Sequence, residues 1–147
     1  MGIQKVYENS GGIYRLNKNY NEADDELSCG DFGEMDSGVL YIKPYPEIKF
    51  PSFENNLKAV LLEGYHSGTL NTDNRDFIRF CETAEKNKTP VYLTGDIEGF
   101  GYESKKMYEK LKINVLPPMS PIAAYIKLRL IKDTTSAFLS MGGDILK

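Results

Sequence analysis

The chain contains no tryptophan, one histidine (His66) and two cysteines, Cys29 and Cys81, far apart and in dissimilar contexts. Each scarcity removes a class of function. A zinc centre draws on several His and Cys ligands at close spacing, and one histidine with no C-x-x-C pair cannot supply them, so no metal site is expected. No run of about 18 apolar residues exists, which excludes a membrane-spanning helix. The start Met1-Gly2-Ile3-Gln4-Lys5 lacks the apolar core of a secretory leader, and the expected location is the cytoplasm. Clustered basic charge is also missing: the net charge is -3 and the pI near 5.3, so no nucleic-acid partner is expected. The densest basic groupings, Lys105-Lys106 and Lys127-Arg129-Lys132, read as solvated helix faces. There is no glycine-rich phosphate loop and no G-x-S-x-G, which argues against a nucleotide cofactor and a serine hydrolase; no cofactor is expected.

What remains is a composition of 41% hydrophobic and 27% charged residues, that of a soluble globular protein. At 147 residues the chain supports one ordinary core and one domain. Residues 1–37 are the least regular part: Asn9-Ser10-Gly11-Gly12, Asn17 to Asn21 and Glu22-Ala23-Asp24-Asp25-Glu26 are turn and loop chemistry. A short strand at Gly12 to Leu16 fits within them, and the segment otherwise reads as a linker or the tail of an upstream lobe.

From Gly38 a regular alternation begins. Val39 to Lys43 reads as a buried strand stopped by Pro44-Tyr45-Pro46, and Pro51 to Asn56 as a short helix or turn. Lys58 to Glu63 reads as a second strand. Asn71-Thr72-Asp73 offers helix caps, with Phe77, Ile78, Phe80, Cys81 and Ala84 at helical spacing, which predicts a helix from about Asp73 to Lys86 with Cys81 in the core. Pro90 opens a third strand to Thr94, a helix starts at Glu103 or Ser104, and Ile113 to Val115 is a fourth strand. Ser120-Pro121 caps a last helix to about Ile131, on which Ile122, Ile126 and Leu130 recur every fourth residue. Another helix is expected around Ser136 to Met141. Strands alternating with helices imply right-handed crossovers and a parallel sheet covered on both faces. The expected fold class is α/β, a three-layer Rossmann-like lobe with a small parallel sheet of about four strands, over residues 38–147.

Open parallel sheets bind ligands beyond the carboxyl ends of their strands. The turn after Glu63 concentrates suitable groups: the Tyr65, Ser67 and Thr69 hydroxyls, the His66 imidazole, and glycines that allow close backbone approach. The bland alternative is a tight connection whose polar atoms satisfy local backbone. Asp96 and Glu98 after the third strand read as solvated loop acids. Tyr41, Tyr92 and Tyr125 read as core, and Phe100-Gly101-Tyr102 as an aromatic loop.

Leu61-Leu62-Glu63-Gly64-Tyr65-His66-Ser67-Gly68-Thr69-Leu70, then Pro90-Val91-Tyr92-Leu93-Thr94, then Met119-Ser120-Pro121 with Ala123, Ala124, Lys127 and Leu128, together resemble the C-terminal domain of the bacterial-type L-asparaginase/glutaminase family. That lobe shows E-G-Y-x-x-G-N, a strand ending near T-x-C or T-x-x, and D-M-T-P-E-A-A-x-x-K-L in the same order; the resemblance covers residues 38 to 131. It implies a small-molecule amino-acid substrate reached together with an N-terminal lobe, substrate-binding roles for Tyr65, His66, Ser67 and Thr69, a homo-oligomer, and no metal. Thr69 replaces the family's asparagine, which puts substrate preference in question. The T-G-G-T nucleophile motif and the T-D-T and lysine elements belong to the N-terminal lobe and are absent here; Gly11-Gly12-Ile13 has isoleucine where the threonine should be. No catalytic residue is therefore assigned. The chain is expected to be the inactive-alone C-terminal lobe of an asparaginase-like amidohydrolase, or, alternatively, a stand-alone oligomerisation or small-ligand-binding module derived from that lobe.

Overall fold

The computed structural model describes residues 7–10, 13–16, 38–53, 57–65, 69–95, 102–131, 135–141 and 143–145. Tyr7–Ser10 (β1) pairs antiparallel with Ile13–Leu16 (β2), in register from Tyr7 against Leu16 to Ser10 against Ile13. The second strand agrees with expectation and the first corrects it. Gly11-Gly12 between two pairing runs is the sequence signal of a two-residue hairpin, and reading Asn9-Ser10-Gly11-Gly12 only as turn and loop chemistry overlooked it.

Four strands, β3 (Val39–Ile42), β4 (Ala59–Glu63), β5 (Val91–Thr94) and β6 (Ile113–Val115), form one parallel sheet in sequence order. Val60, Leu61, Leu62 and Leu93 have no measurable exposure, as strands covered on both faces require. Side chains alternate between two cores. Ile42, Val60, Leu62, Val91 and Leu93 face α1 (Arg75–Lys86) and α2 (Tyr102–Lys110). Val39, Ala59, Leu61 and Tyr92 face α3 (Pro121–Leu130) and a 3-10 helix, Thr135–Phe138. Adding each new strand on the same side with crossovers of one hand puts α1 and α2 on one face. The chain then returns after β6 and lays α3 over β3 and β4 on the other. The layers are helix, sheet, helix, a small Rossmann-like α/β fold.

Several local expectations are corrected. The cap of α1 is Asn74, in extended conformation, whose side chain accepts from the N–H groups of Asp76 and Phe77 at 2.8 and 3.4 Å. The β3–β4 connection has no helix at 51–53, and residues 54–56 lie outside the described set. Phe50 and Phe53 do a crossover helix's work there, packing on Phe77 and Phe80 with ring centroids 5.1 to 5.2 Å apart. The helix expected at 136–141 is the shorter 3-10 element. At α3 the cap is as expected: the Ser120 hydroxyl accepts from the Ala123 N–H at 3.1 Å, with Pro121 at the first helical position.

The face of α3 is not as the four-residue repeat suggests. Ala124, Lys127 and Leu128 point inward, while Ile122 and Ile126 are 63% and 50% exposed. Lys127, grouped by sequence with the solvated cations, is 3% exposed. Its ammonium sits 2.8 Å from the Asp144 carboxylate and donates to the Leu139 carbonyl, tying the segment after the 3-10 helix to α3. A partner distant in sequence makes this burial possible, so a pattern confined to the helix misassigned it. Tyr92 is buried, Tyr125 half-buried, and Tyr41 is 36% exposed, contrary to its placement in the core.

Candidate functional site

β4 and β5 end side by side, with Glu63 in register with Thr94. The ladder continues one step beyond them, where the Gly64 N–H donates to the Thr94 carbonyl at 2.9 Å. Gly95 follows with φ of +86°, a conformation only glycine adopts without strain, and a Cβ there would lie 3.8 Å from the Gly64 nitrogen. The two strand exits are thus adjacent.

Of the four substrate-site residues expected from sequence, two are described. The Tyr65 N–H donates to the Thr69 carbonyl at 2.8 Å, closing the turn, and both residues are half-buried. His66 and Ser67, with Gly68, lie outside the described residues, as do Asp96, Glu98, Phe100 and Gly101. The far leg of the turn is clamped from α2: the Leu70 N–H donates to the buried Tyr108 hydroxyl at 3.0 Å. Tyr65 helps line a cavity of about 20 Å³ with Tyr45, Phe50, Leu70, Asn74 and Phe77, room for one water molecule. Thr94 contributes no free group, because its buried hydroxyl donates to the Met119 carbonyl at 3.1 Å and pins the loop that leads into α3.

The sequence reading missed a second polar cluster on the opposite face of the same sheet end. The Lys43 ammonium lies 2.8 Å from one Glu63 oxygen, and the Tyr41 hydroxyl donates to the other. Partial burial alone would raise the Glu63 carboxyl, but the hydrogen bonds from Lys43 and Tyr41, with the ammonium's charge, hold it below the ordinary carboxylate range. Tyr41 is pushed up to about 12, first by desolvation and then by Glu63. The signal that would have found the cluster is register: Tyr41 pairs with Leu61 and Ile42 with Leu62, so one more step sets Lys43 against Glu63.

Two roomier crevices, about 480 and 530 Å³, flank β6. The first opens between the C-terminal ends of α1 and α2, at the amino ends of the strands, away from the turn. Cys81 in its wall is 2% exposed, and burial pushes its thiol up to about 12, leaving a small core residue with no thiolate chemistry at neutral pH. Among the described residues no group of three or more His, Cys, Asp or Glu could hold a metal ion, and no helix is long and apolar enough to cross a membrane.

Compared with protein-family models, curated proteins and solved structures, the chain matches none.

Proposed function

We propose that residues 38–147 are the C-terminal lobe of an L-asparaginase-like amidohydrolase, which converts asparagine to aspartate and ammonia in the cytoplasm. The observation that supports this reading most is the meeting of two of the three resembling segments. Glu63-Gly64-Tyr65 and Thr94-Gly95 leave the sheet side by side, at the end where parallel sheets take ligands. The third segment joins them through the bond from Thr94 to the Met119 carbonyl. In this reading Tyr65, His66, Ser67 and Thr69 form one wall of a substrate pocket. The nucleophile comes from another lobe, the working protein is a homo-oligomer, and the 147-residue chain alone hydrolyses nothing. Threonine at position 69 accepts a hydrogen bond but offers no amide donor, so substrate orientation differs from that given by the family's asparagine.

The test has two parts. Immunoblotting of source cells with an antibody raised against this chain reads the native mass; a band about twice 16.6 kDa or larger is expected, and a band near 16.6 kDa refutes the reading. Calorimetric titration of the chain with L-aspartate should give no heat of binding. Clear saturation would favour the alternative, a self-contained binding module derived from the same lobe.

A further inference from the structure

Helix α3 is apolar on two sides. Ala124, Leu128 and Ile131 fill the core beneath it, yet Ile122, Tyr125, Ile126 and Arg129, at i, i+3, i+4 and i+7, form a second ridge, on which the two isoleucines are exposed and Tyr125 and Arg129 half-buried. A helix apolar all round is characteristic of a helix covered on both sides. The ridge extends onto the sheet edge through Tyr41, whose ring centroid lies 6.0 Å from that of Tyr125. Tyrosine, isoleucine and arginine in one partly exposed strip is the make-up of an interface centre.

Charge narrows the occupant. No residue of α3 is acidic. Lys127 is neutralised by Asp144 and Lys43 by Glu63, so neither leaves a free cation. Arg129 differs: its guanidinium carbon stands 5.7 Å from the Tyr125 ring centre, and its Nε is buried without a hydrogen-bond partner. No carboxylate of the described residues pairs with it, nor with Lys58, whose ammonium donates to the Arg129 carbonyl at 3.0 Å, so the ridge offers an apolar centre with two unneutralised cations at its C-terminal end. A second copy laid antiparallel would bring its Arg129 to the N-terminus of α3, the positive end of the helix dipole, and a parallel copy would set Arg129 against Arg129. Self-pairing therefore suffers repulsion in both arrangements.

We infer that the α3 ridge docks an amphipathic helix of another polypeptide, which lays apolar side chains on Ile122, Tyr125 and Ile126 and pairs an Asp or Glu with Arg129. The inference does not depend on the amidohydrolase reading, because it uses neither Tyr65 nor Thr69. Helix-in-groove recognition supplies the geometry, the carboxylate supplies the discrimination.

The test uses the whole chain and two labelled helical peptides of about 20 residues, long enough to be helical in water. Both carry the same leucine stripe; one has glutamates beside it and the other lysines. Fluorescence anisotropy should show saturable binding of the glutamate peptide, and binding of the lysine peptide weaker by about tenfold or more. Ile126→Asp should abolish binding of both while circular dichroism and thermal unfolding stay unchanged, since the site is exposed. Arg129→Gln should weaken the preference between peptides, and Arg129→Gln combined with Lys58→Gln should erase it. Equal binding of the two peptides, or none, overturns the inference. So does a wild-type dimer in sedimentation velocity that Ile126→Asp converts to monomer, because the ridge would then pair copies of this chain.

Discussion

Replacing Lys127 by methionine keeps the length of the side chain and removes its charge. Two groups then lose a partner: the Asp144 carboxylate, 2.8 Å from the ammonium, and the Leu139 carbonyl that accepts from it. Removing one member of a buried ion pair costs about 3–5 kcal/mol. The Asp144 side chain is 12% exposed and its second oxygen accepts from the Met141 N–H at 2.9 Å, so it retains some solvation and one bond, and the lower end, about 3 kcal/mol, applies. Against a total stability of about 5–15 kcal/mol this is a large fraction. In a domain of this size it lowers Tm by about 6–12 °C. Urea unfolding followed by circular dichroism measures it, with the change appearing in the midpoint and not in the slope.

The double variant Lys127→Met with Asp144→Asn makes the reasoning specific. Asparagine keeps an acceptor for the Met141 N–H and carries no charge, so the second change should recover much of the loss, with a coupling energy of about 2 kcal/mol or more. A Lys127→Met protein within about 0.5 kcal/mol of wild type, the range of an ordinary surface substitution, would refute the inward lysine. A cycle with no coupling would refute the pair even if the single variant is unstable.

Three further outcomes follow from the geometry. Cys81, with its thiol raised to about 12 by burial, should escape alkylation in the folded chain at pH 8 and react once urea unfolds it, as peptide mass spectrometry would read; modification at the native rate of a free thiol would contradict the burial. Tyr108→Phe leaves the Leu70 N–H without its acceptor and should cost about 1–3 kcal/mol, measured by the same urea titration. Glu63 and Tyr41 set opposite pH limits. The depressed Glu63 carboxyl contributes stability that is present above the ordinary 4.5 and lost as pH falls through its lower folded value. The raised Tyr41 contributes stability that is present below 10 and lost as pH rises towards about 12. Unfolding midpoints across pH should show the alkaline loss in wild type and less of it in Tyr41→Phe; identical alkaline profiles would count against the Tyr41–Glu63 bond.

The four strands of the parallel sheet were legible because each is a short, mostly apolar run with proline or glycine within two residues of one end, and such runs need no information from elsewhere in the chain. β6 is found at the residues expected, and the Ser120-Pro121 start of α3 is written entirely in local chemistry. The inward face of α3 was not legible. A periodicity argument ranks isoleucine above lysine at a core position, and only Asp144, seventeen positions on, reverses that order for Lys127. The turn after β4 divides in the same way. Its polar content is visible in Gly64 to Thr69, but the hydroxyl that clamps it comes from Tyr108, and no spacing rule connects that residue with Leu70. The cluster at Glu63 depends on which residue of β3 stands opposite, a fact of register.

That division separates the two proposed surfaces. Tyr65, Thr69 and the Tyr108 clamp belong to the α1 and α2 side of the sheet, through Leu70 and Tyr108 in one core, whereas Ile122, Tyr125 and Ile126 lie on α3 against the other. No hydrogen bond or ion pair described above joins the two groups. Perturbations at the two places should therefore be independent, and the double variant Tyr108→Phe with Ile126→Asp should show a stability change within about 0.5 kcal/mol of the sum of the single changes. Loss of peptide binding should follow Ile126→Asp alone. Coupling beyond that margin would mean that the central strands transmit strain between the faces, and a ligand at the Gly64–Thr69 turn could then alter what docks on α3.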